Sequence, residues 1–311
     1  MVDGVKVKVL EHCLKSIRSS IPNIDGHTLE SPSLEIVLVF NHEDDLETGR
    51  QLISYFDLKG IVVCDEPGFH FARKCNLGAQ QSTGDILVFL NDDTDFQTIG
   101  WTSHVISLLQ EDDVACVGGM LLNADGSVQS CGDNVGRNSA VHYVPKPSAS
   151  SVGDMMHRYI ADHETTSITG AFLCCKKDMF MTLDGFSTSF PNSFQDVDFC
   201  LRARMKGLRC IISPHVRLLH FESATRNPEV DHWTLWAIRK FHRVLMGPLD
   251  DYALYQYEIP RIPLFTRTAL RYYLARLTMW LRRCTFIILA NSKPGPGHPR
   301  GILYKEEWRI Y

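Results

Sequence analysis

The sequence predicts an α/β fold with a mostly parallel sheet flanked by helices and a helical extension at the C-terminal end. Through the first 100 residues, short apolar runs of strand length alternate with segments of helical periodicity. The run Ile86–Leu90 is apolar at every position, which is typical of a strand buried on both faces. Beyond residue 229 the strand-like runs give way to helical patterns.

The hydrophobic periodicity of residues 5–90 predicts three helices and three strands. The Pro, Asn, Gly and Ser residues of 21–33 predict a loop. The elements are a helix over 5–20, a strand over 35–40, a helix over 48–56, a strand over 60–64, a helix over 71–81 and a strand over 86–90.

The second half predicts a helix over 101–110 and a strand over 114–122 that is broken at Gly118-Gly119. Residues 133–163 lack periodicity and predict a long loop of the kind that often forms a lid or an acceptor site. The remaining elements are an apolar segment over 168–175, a helix over 199–206, two strands over 210–213 and 216–219, and helices over 233–245 and 264–290.

The composition is that of a globular protein, with 44% hydrophobic and 22% charged residues. The net charge of −4 argues against nucleic acid as a partner. Ten cysteines without paired CxxC spacing argue against a zinc ribbon. No secretory signal or spanning segment is recognised, so we expect a cytoplasmic protein without disulfides.

Two acidic residues, Asp92 and Asp93, follow the central strand and Asn91. Ligands of open α/β sheets bind beyond the carboxyl ends of the strands, and adjacent carboxylates repel unless a cation lies between them. Oxygen ligands suit Mg²⁺ or Mn²⁺. The alternative is a polar turn capped by Asp93 or Thr94.

A second acidic pair, Asp196 and Asp198, precedes a predicted helix, and His220 ends a short apolar run. The acids could simply be favoured by the helix dipole, or one could be a general base close to the first pair. His220 could be structural, or its neutral imidazole could complete a metal site begun by carboxylates.

An ordered set of motifs resembles glycosyltransferase family 2, whose members are inverting enzymes of GT-A (Rossmann-like) fold. The resemblance runs from about Leu10 to about Arg226 and is greatest for the rhamnosyltransferase-like and O-antigen-type members. The set comprises Phe71–Ala79, Gly84-Asp85, Leu90–Thr94, Trp101, Val117-Gly118, Asp125–Gln129, Thr169–Leu173, Asp184–Phe186, Gln195–Asp198, Arg202, Gly207 and His220–Ser223.

The resemblance implies a role for several residues. Asp92 and Asp93 match the motif for metal and nucleotide diphosphate, with Asp93 the direct ligand of Mn²⁺ or Mg²⁺. Asp196 matches the catalytic base, and His220 matches a position that can add a metal ligand. A further set matches segments that hold the substrates: Arg73 and Asn76 for the nucleotide-sugar, and Thr169, Gly170, Ala171 and Asp198 for the acceptor and sugar.

The activity that follows is metal-dependent transfer of a sugar from a nucleotide-diphosphate sugar to a hydroxyl of a glycan or lipid-linked saccharide. A single base opposite the leaving group predicts inversion. We expect a catalytic domain over 1–228, with a nucleotide-sugar half over 1–130 and an acceptor half over 164–228, and a basic helical extension over 229–311.

Three features depart from the family pattern. The family's first strand is apparently missing, which would leave the edges of the neighbouring strands unpaired. Phe40-Asn41 stands where the family usually has an Asp, and Gln195 stands where a Glu usually precedes the base. A shortened, catalytically inactive GT-A-like binding protein is therefore the alternative function. A nucleotidyltransferase would need a basic, glycine-rich phosphate loop near the N-terminus, and none is found.

The segment 261–311 carries ten basic and two acidic residues, in a chain that is acidic as a whole. One hypothesis is that residues 264–290 form a helix packed on the catalytic domain with solvated arginines. The other is an interfacial helix that contacts anionic lipid at the inner face of the plasma membrane.

Overall fold

The structure is a computed structural model that describes residues 4–22, 33–136, 139–142, 158–190 and 192–221. Its helices are α1 (Gly4–Ser20), α2 (Leu46–Tyr55), α3 (Phe71–Gln81), α4 (Trp101–Leu109), α5 (Lys177–Thr182) and α6 (Gln195–Met205). Its strands are β1 (Ile36–Phe40), β2 (Gly60–Cys64), β3 (Ile86–Leu90), β4 (Thr94–Phe96), β5 (Val114–Leu122), β6 (Val128–Ser130), β7 (Asp133–Gly136), β8 (Ser139–His142), β9 (His163–Thr165), β10 (Phe172–Lys176) and β11 (Arg209–His220).

The central sheet has seven strands, with β3, β10, β5, β11 and β4 in that spatial order. Strand β6 pairs with β5, and β9 pairs with β11. Strands β1 and β2 form a separate parallel pair, and β7 and β8 form another two-stranded sheet. The alternation of helices and strands in the first half of the chain is confirmed.

The sheet is less parallel than the sequence predicts. Strand β5 runs parallel to β11, but β10 is antiparallel to both of its neighbours, β3 and β5. The described residues between β5 and β10 include the short strands β6 to β9, and β10 lies between β3 and β5 in the opposite direction.

Strands β1 and β3 each keep one edge without a ladder partner among the described residues. Strand β1 pairs with β2, and β3 pairs with β10. Their side chains nevertheless pack into one hydrophobic cluster, to which Leu38 and Val88 both contribute. Glu35 ties the two strands at their starts, since its Oε2 accepts hydrogen bonds from the Thr83 amide at 2.6 Å and hydroxyl at 3.0 Å.

Two expected strand breaks are wrong. The segment 114–122 is one strand through Gly118 and Gly119, where glycine is needed because other atoms approach closely. A Cβ at Gly118 would lie 2.5 Å from Ile168 Cγ2. The segments 210–213 and 216–219 belong to one strand, β11, with a register shift between Ser213 and Arg217.

The expected long loop over 133–163 is also partly wrong, because it contains β7, β8 and the start of β9. The expected helices at 233–245 and 264–290, and the boundary between 228 and 229, lie outside the described residues. Among the described residues, none of the helices has the length and apolarity needed to cross a membrane.

Helices cover both faces of the sheet, and alternate residues of β10 show the two layers. Phe172 and Cys174 face a cluster that includes residues from α1, α2 and α4. Leu173 and Cys175 face the other cluster, which includes residues from α3, α5 and α6. All four side chains are buried. The sheet is therefore held rigidly, and the residues after its strand ends are fixed with it.

Candidate functional site

The turn after β3 is built by two hydrogen bonds. The Asn91 amide donates to the carbonyl of Ala171 at 3.0 Å, and the Thr94 hydroxyl donates to the carbonyl of Asn91 at 2.8 Å. Thr94 therefore closes the turn, as the simpler of the two sequence hypotheses expects. Asp93 does not act in this way. Its Oδ1 is buried and accepts no hydrogen bond from the described residues.

Asp93 lies next to His220 of β11. The distance from Asp93 Oδ1 to His220 Nε2 is 3.3 Å, and both side chains are largely buried. Strand β11 pairs with β4 through His220 and Thr94, so backbone hydrogen bonding fixes the imidazole beside the turn. The structure thus brings together two residues that are 127 positions apart in the sequence.

Gln129 determines which nitrogen of His220 carries the proton. The Gln129 amide nitrogen donates to the carbonyls of His220, at 3.2 Å, and of the Asn123 side chain, at 3.3 Å. Its Oε1 is therefore an acceptor and takes a hydrogen bond from His220 Nδ1 at 2.7 Å. In the neutral imidazole, the lone pair is then on Nε2, which faces Asp93 and accepts a hydrogen bond from the Asn91 side-chain amide at 3.3 Å. A cation bound at Nε2 would displace this Asn91 contact.

This arrangement fits a divalent cation. A carboxylate oxygen without a partner lies beside an imidazole lone pair, and the opposite imidazole nitrogen is held by an amide carbonyl, as is usual for metal-ligating histidines. Asp92, which precedes Asp93 in the chain, is exposed. Sequence reasoning assigned no role to Gln129, although it belongs to the Asp125–Gln129 motif.

Replacing Gln129 with Leu is expected to weaken Mn²⁺ binding about 10- to 100-fold, because His220 would lose its Nδ1 acceptor and with it the fixed tautomer. Isothermal titration with Mn²⁺ measures the change. Gln81→Leu, at an exposed position, is the control and should bind as the wild type does. Equal affinities in the two variants would contradict the role of Gln129.

Asp196, in the first turn of α6, is held by two backbone amides. Its Oδ2 accepts from Gly170 at 2.6 Å and its Oδ1 accepts from Val197 at 2.9 Å. Burial raises the pKa of Asp196 above its ordinary value, and the nearby Asp133 carboxylate raises it further.

The residue that precedes α6 is conformationally strained. Phe194 has a φ of +65°, in the left-handed region that a bulky side chain rarely occupies. Such a conformation costs on the order of 1–3 kcal/mol and is found most often at functional sites. Here it directs the first turn of α6, and therefore Asp196, towards Gly170.

A short path of hydrogen bonds connects the two acidic elements. Asn91, after β3, donates to Ala171, and the adjacent Gly170 donates to Asp196. The turn that carries Asp93 and the helix end that carries Asp196 therefore meet at the same edge of the sheet, on either side of residues 170–171.

Asp198 lies in a different environment from Asp196. It is fully buried, and its Oδ2 accepts from Arg202 Nε at 2.8 Å. The Arg202 guanidinium also donates to the carbonyls of Leu183 and Gly185. This pair anchors the turn that follows α5, and contact of Asp198 with the acceptor stays a prediction.

Asp198→Asn is expected to lower the free energy of unfolding by about 3–5 kcal/mol, because it removes the buried carboxylate that pairs with the partly buried Arg202 guanidinium. Urea unfolding measures the loss. Glu47→Gln is the matched control, since it breaks an exposed ion pair with Arg50 and should leave stability unchanged. Similar stabilities for both variants would contradict the structural role of Asp198.

Arg73 and Asn76 of α3 already have internal partners. Arg73 Nε donates to both oxygens of Asp65, at 2.8 and 2.9 Å, so it supports the loop after β2. Asn76 exchanges two hydrogen bonds with the backbone of Phe186, at 2.8 and 2.9 Å. Both side chains hold the framework, and their contact with a nucleotide-sugar stays a prediction.

Thr169, Gly170 and Ala171 form the segment between the two acidic elements. The Thr169 hydroxyl accepts a hydrogen bond from the amide of Ala171 at 3.4 Å, which shapes the turn into β10. Gln195, in place of the family's usual Glu, is buried, and its Oε1 has no hydrogen-bond partner among the described residues. An acceptor role for 169–171 remains a prediction.

Comparison with known proteins gives two kinds of similarity. Residues 6–143 match the family described as glycosyl transferase family 2. The chain is 29% identical over 225 residues to the O-antigen biosynthesis protein RfbC of Myxococcus xanthus, covering 71% of this chain and 17% of that protein. It is 28% identical over 220 residues to the uncharacterized protein y4gI of Sinorhizobium fredii strain NBRC 101917 / NGR234, covering 70% and 24%. The chain spans about a fifth of the length of these curated relatives.

Solved structures share the fold at low sequence identity. GalNAc-T7, in a crystal structure with UDP, GalNAc and Mn²⁺, has a TM-score of 0.53 and 15% identity, covering 82% of this chain and 52% of that one. The mannosyltransferase PcManGT from Pyrobaculum calidifontis, in complex with GDP-Man and Mn²⁺, has a TM-score of 0.52 and 16% identity, covering 97% and 85%. These similarities confirm the predicted α/β fold of GT-A type.

Proposed function

We propose that this chain transfers a sugar from a nucleotide-diphosphate sugar to an acceptor hydroxyl with inversion, and the match of residues 6–143 to the family described as glycosyl transferase family 2 supports this. One observation carries the proposal. The Asp93–His220 pair and Asp196 lie at the same strand-end edge, connected through the hydrogen bonds of residues 170–171.

Asp93 and His220 would hold Mn²⁺ or Mg²⁺, with Asp92 beside them. When bound, such an ion stabilises the negative charge that develops on a departing diphosphate. The buried Oδ1 of Asp93 and the Nε2 of His220 supply one hard and one borderline ligand, a combination that suits Mn²⁺. The two neighbours of known structure, described with Mn²⁺ and UDP or GDP-Man, support this assignment.

Asp196 would act as the general base. Its two amide hydrogen bonds orient the carboxylate and leave a lone pair on each oxygen for an acceptor hydroxyl. The raised pKa brings its basicity closer to neutral pH, which favours proton transfer during bond formation. Removal of the acceptor proton on the face opposite the leaving diphosphate gives inversion at the sugar carbon.

The acceptor would be a glycan or a lipid-linked saccharide. The name of the RfbC relative, an O-antigen biosynthesis protein, supports a polysaccharide pathway. A cytoplasmic location, with peripheral contact of residues 264–290 at the inner face of the plasma membrane, fits a lipid-linked acceptor. Sedimentation with anionic liposomes tests this contact, and absence of salt-sensitive binding would remove it.

The proposal is tested by incubating the chain with a panel of UDP-, GDP- and dTDP-sugars and Mn²⁺, and measuring release of nucleoside diphosphate. We expect turnover of at least one donor that is abolished by chelation. An inactive binding protein is the second candidate, because the edges of β1 and β3 lack a partner among the described residues. Saturable donor binding without release or transfer would favour it.

A further inference from the structure

Two histidines and an aspartate form a cluster that is separate from the Asp93–His220 site. His104 lies on α4, Asp162 immediately precedes β9, and His215 lies in the register shift of β11. Their ligand atoms all lie within 4.8 Å of one another. Three different elements thus converge on one small volume.

The backbone is shaped to present His215 to the other two residues. The pairing of β11 with β5 passes from Ser213 to Arg217, which leaves the intervening residues bulged out of the ladder. Thr98 fixes this bulge, since its hydroxyl donates to the His215 carbonyl at 3.0 Å and accepts from the Arg217 amide at 3.0 Å. The bulge is therefore an ordered feature that aims the imidazole.

Asp162 and His104 are also positioned by the elements that carry them. The ladder between β9 and β11 ends at His163 and Ile212, so Asp162 follows directly beside the bulge. The buried residues Trp101, Val105 and Leu109 anchor α4 in the core and leave His104 at the edge of that face. His104 Nε2 lies 3.2 Å from Asp162 Oδ2.

The spacing of the ligand atoms suits a tetrahedral transition metal. Zinc held at 2.0–2.2 Å by three ligands places those ligand atoms about 3.3 Å apart. The His104–Asp162 distance already has this value, and the ligand atom of His215 lies within 4.8 Å of the other two, so it must move closer by at most about 1.5 Å. Within the described part of the chain, the His215 nitrogens have no hydrogen-bond partner to give up.

We propose that His104, Asp162 and His215 bind one Zn²⁺ ion, with solvent in the fourth position. Two imidazoles and one carboxylate are ligands that favour zinc over the harder Mg²⁺. His215 is exposed, so the ion can enter from solvent. Bound zinc would join α4, the bulge of β11 and the residues before β9, and so would stabilise this side of the sheet.

The test is titration of the chelator-treated chain with Zn²⁺ in the presence of saturating Mn²⁺, which competes with Zn²⁺ for the proposed site at Asp93 and His220. We expect one equivalent to bind and, at 100-fold excess over the dissociation constant, to raise the Tm by roughly 5 °C. His215→Ala and Asp162→Asn should each weaken Zn²⁺ binding at least 10-fold and remove most of the Tm shift. His42→Ala, an exposed histidine outside the cluster, should match the wild type.

Circular dichroism establishes that each variant is folded before titration, and anomalous scattering at the zinc edge locates the ion in wild-type crystals. A zinc peak between the three side chains supports the proposal independently of the variants. Unchanged Zn²⁺ affinity in both His215→Ala and Asp162→Asn, or zinc binding that only His220→Ala removes, would overturn it.

Discussion

Asp196→Asn is expected to reduce sugar transfer by about 10²- to 10⁴-fold while leaving donor binding intact. The change preserves the size of the side chain, and its remaining carbonyl oxygen can still accept a hydrogen bond. It removes the negative charge and the basicity with which the carboxylate would take the acceptor proton. The measurement is turnover with a working donor–acceptor pair, together with titration of the donor in the presence of Mn²⁺.

Asp112→Asn, at an exposed position, is the control and should transfer sugar as the wild type does. Nearly wild-type turnover in Asp196→Asn would remove the base assignment. The pH profile gives a second readout. Because the pKa of Asp196 is raised, the carboxylate becomes ionised, and the rate rises, at a higher pH than for an ordinary aspartate. This acid limb should be absent from the residual activity of Asp196→Asn.

Asp93→Asn is expected to abolish detectable Mn²⁺ binding. The loss of affinity should exceed the 10- to 100-fold expected for Gln129→Leu, because Gln129 only supports a metal ligand and Asp93 is one of the proposed ligands. It replaces the anionic oxygen beside His220 Nε2 by a neutral amide of the same shape. The rate of sugar transfer should fall 10²-fold or more, because the transition state loses several kcal/mol of charge stabilisation. Isothermal titration and donor turnover measure the two effects.

Asp95→Asn is a close control for Asp93→Asn. Asp95 lies two residues along the same chain segment, and it pairs with His12 at 3.1 Å instead of His220. We expect the Asp95 variant to keep Mn²⁺ affinity and activity. Equal losses in the two variants would indicate a general disturbance of the turn and not the loss of a metal ligand.

Much of the fold could be predicted because local patterns determine it. The strands 60–64 and 86–90 and the helix 71–81 have their predicted bounds, since continuous apolar runs and helical periods survive in the tertiary structure. The direction of β10 and the continuity of β11 could not be predicted. They depend on strand pairing with β3, β5 and β9, which is settled by partners distant in the sequence.

The site could be predicted only in outline. Strand ends show where polar residues accumulate, so Asp93, Asp196 and His220 could be identified as candidates. Which of the two carboxylates in α6 is open to a ligand depends on packing, because Asp198 is buried against Arg202 and Asp196 is held by Gly170. The role of Gln129 depends on a hydrogen bond across 91 positions of sequence, which no local pattern reveals.

The central claim is that the cation site and the base share one cleft, and paramagnetic broadening by Mn²⁺ tests it directly. In a chain labelled with ¹⁵N-glycine, the Gly170 amide, which donates to Asp196, should broaden when Mn²⁺ is added. Gly207 lies two residues before the start of β11, whose other end is His220, so it is on the order of 30 Å away and should not broaden. His220→Ala should remove the effect at Gly170. A sharp Gly170 signal at saturating Mn²⁺ would contradict the shared cleft.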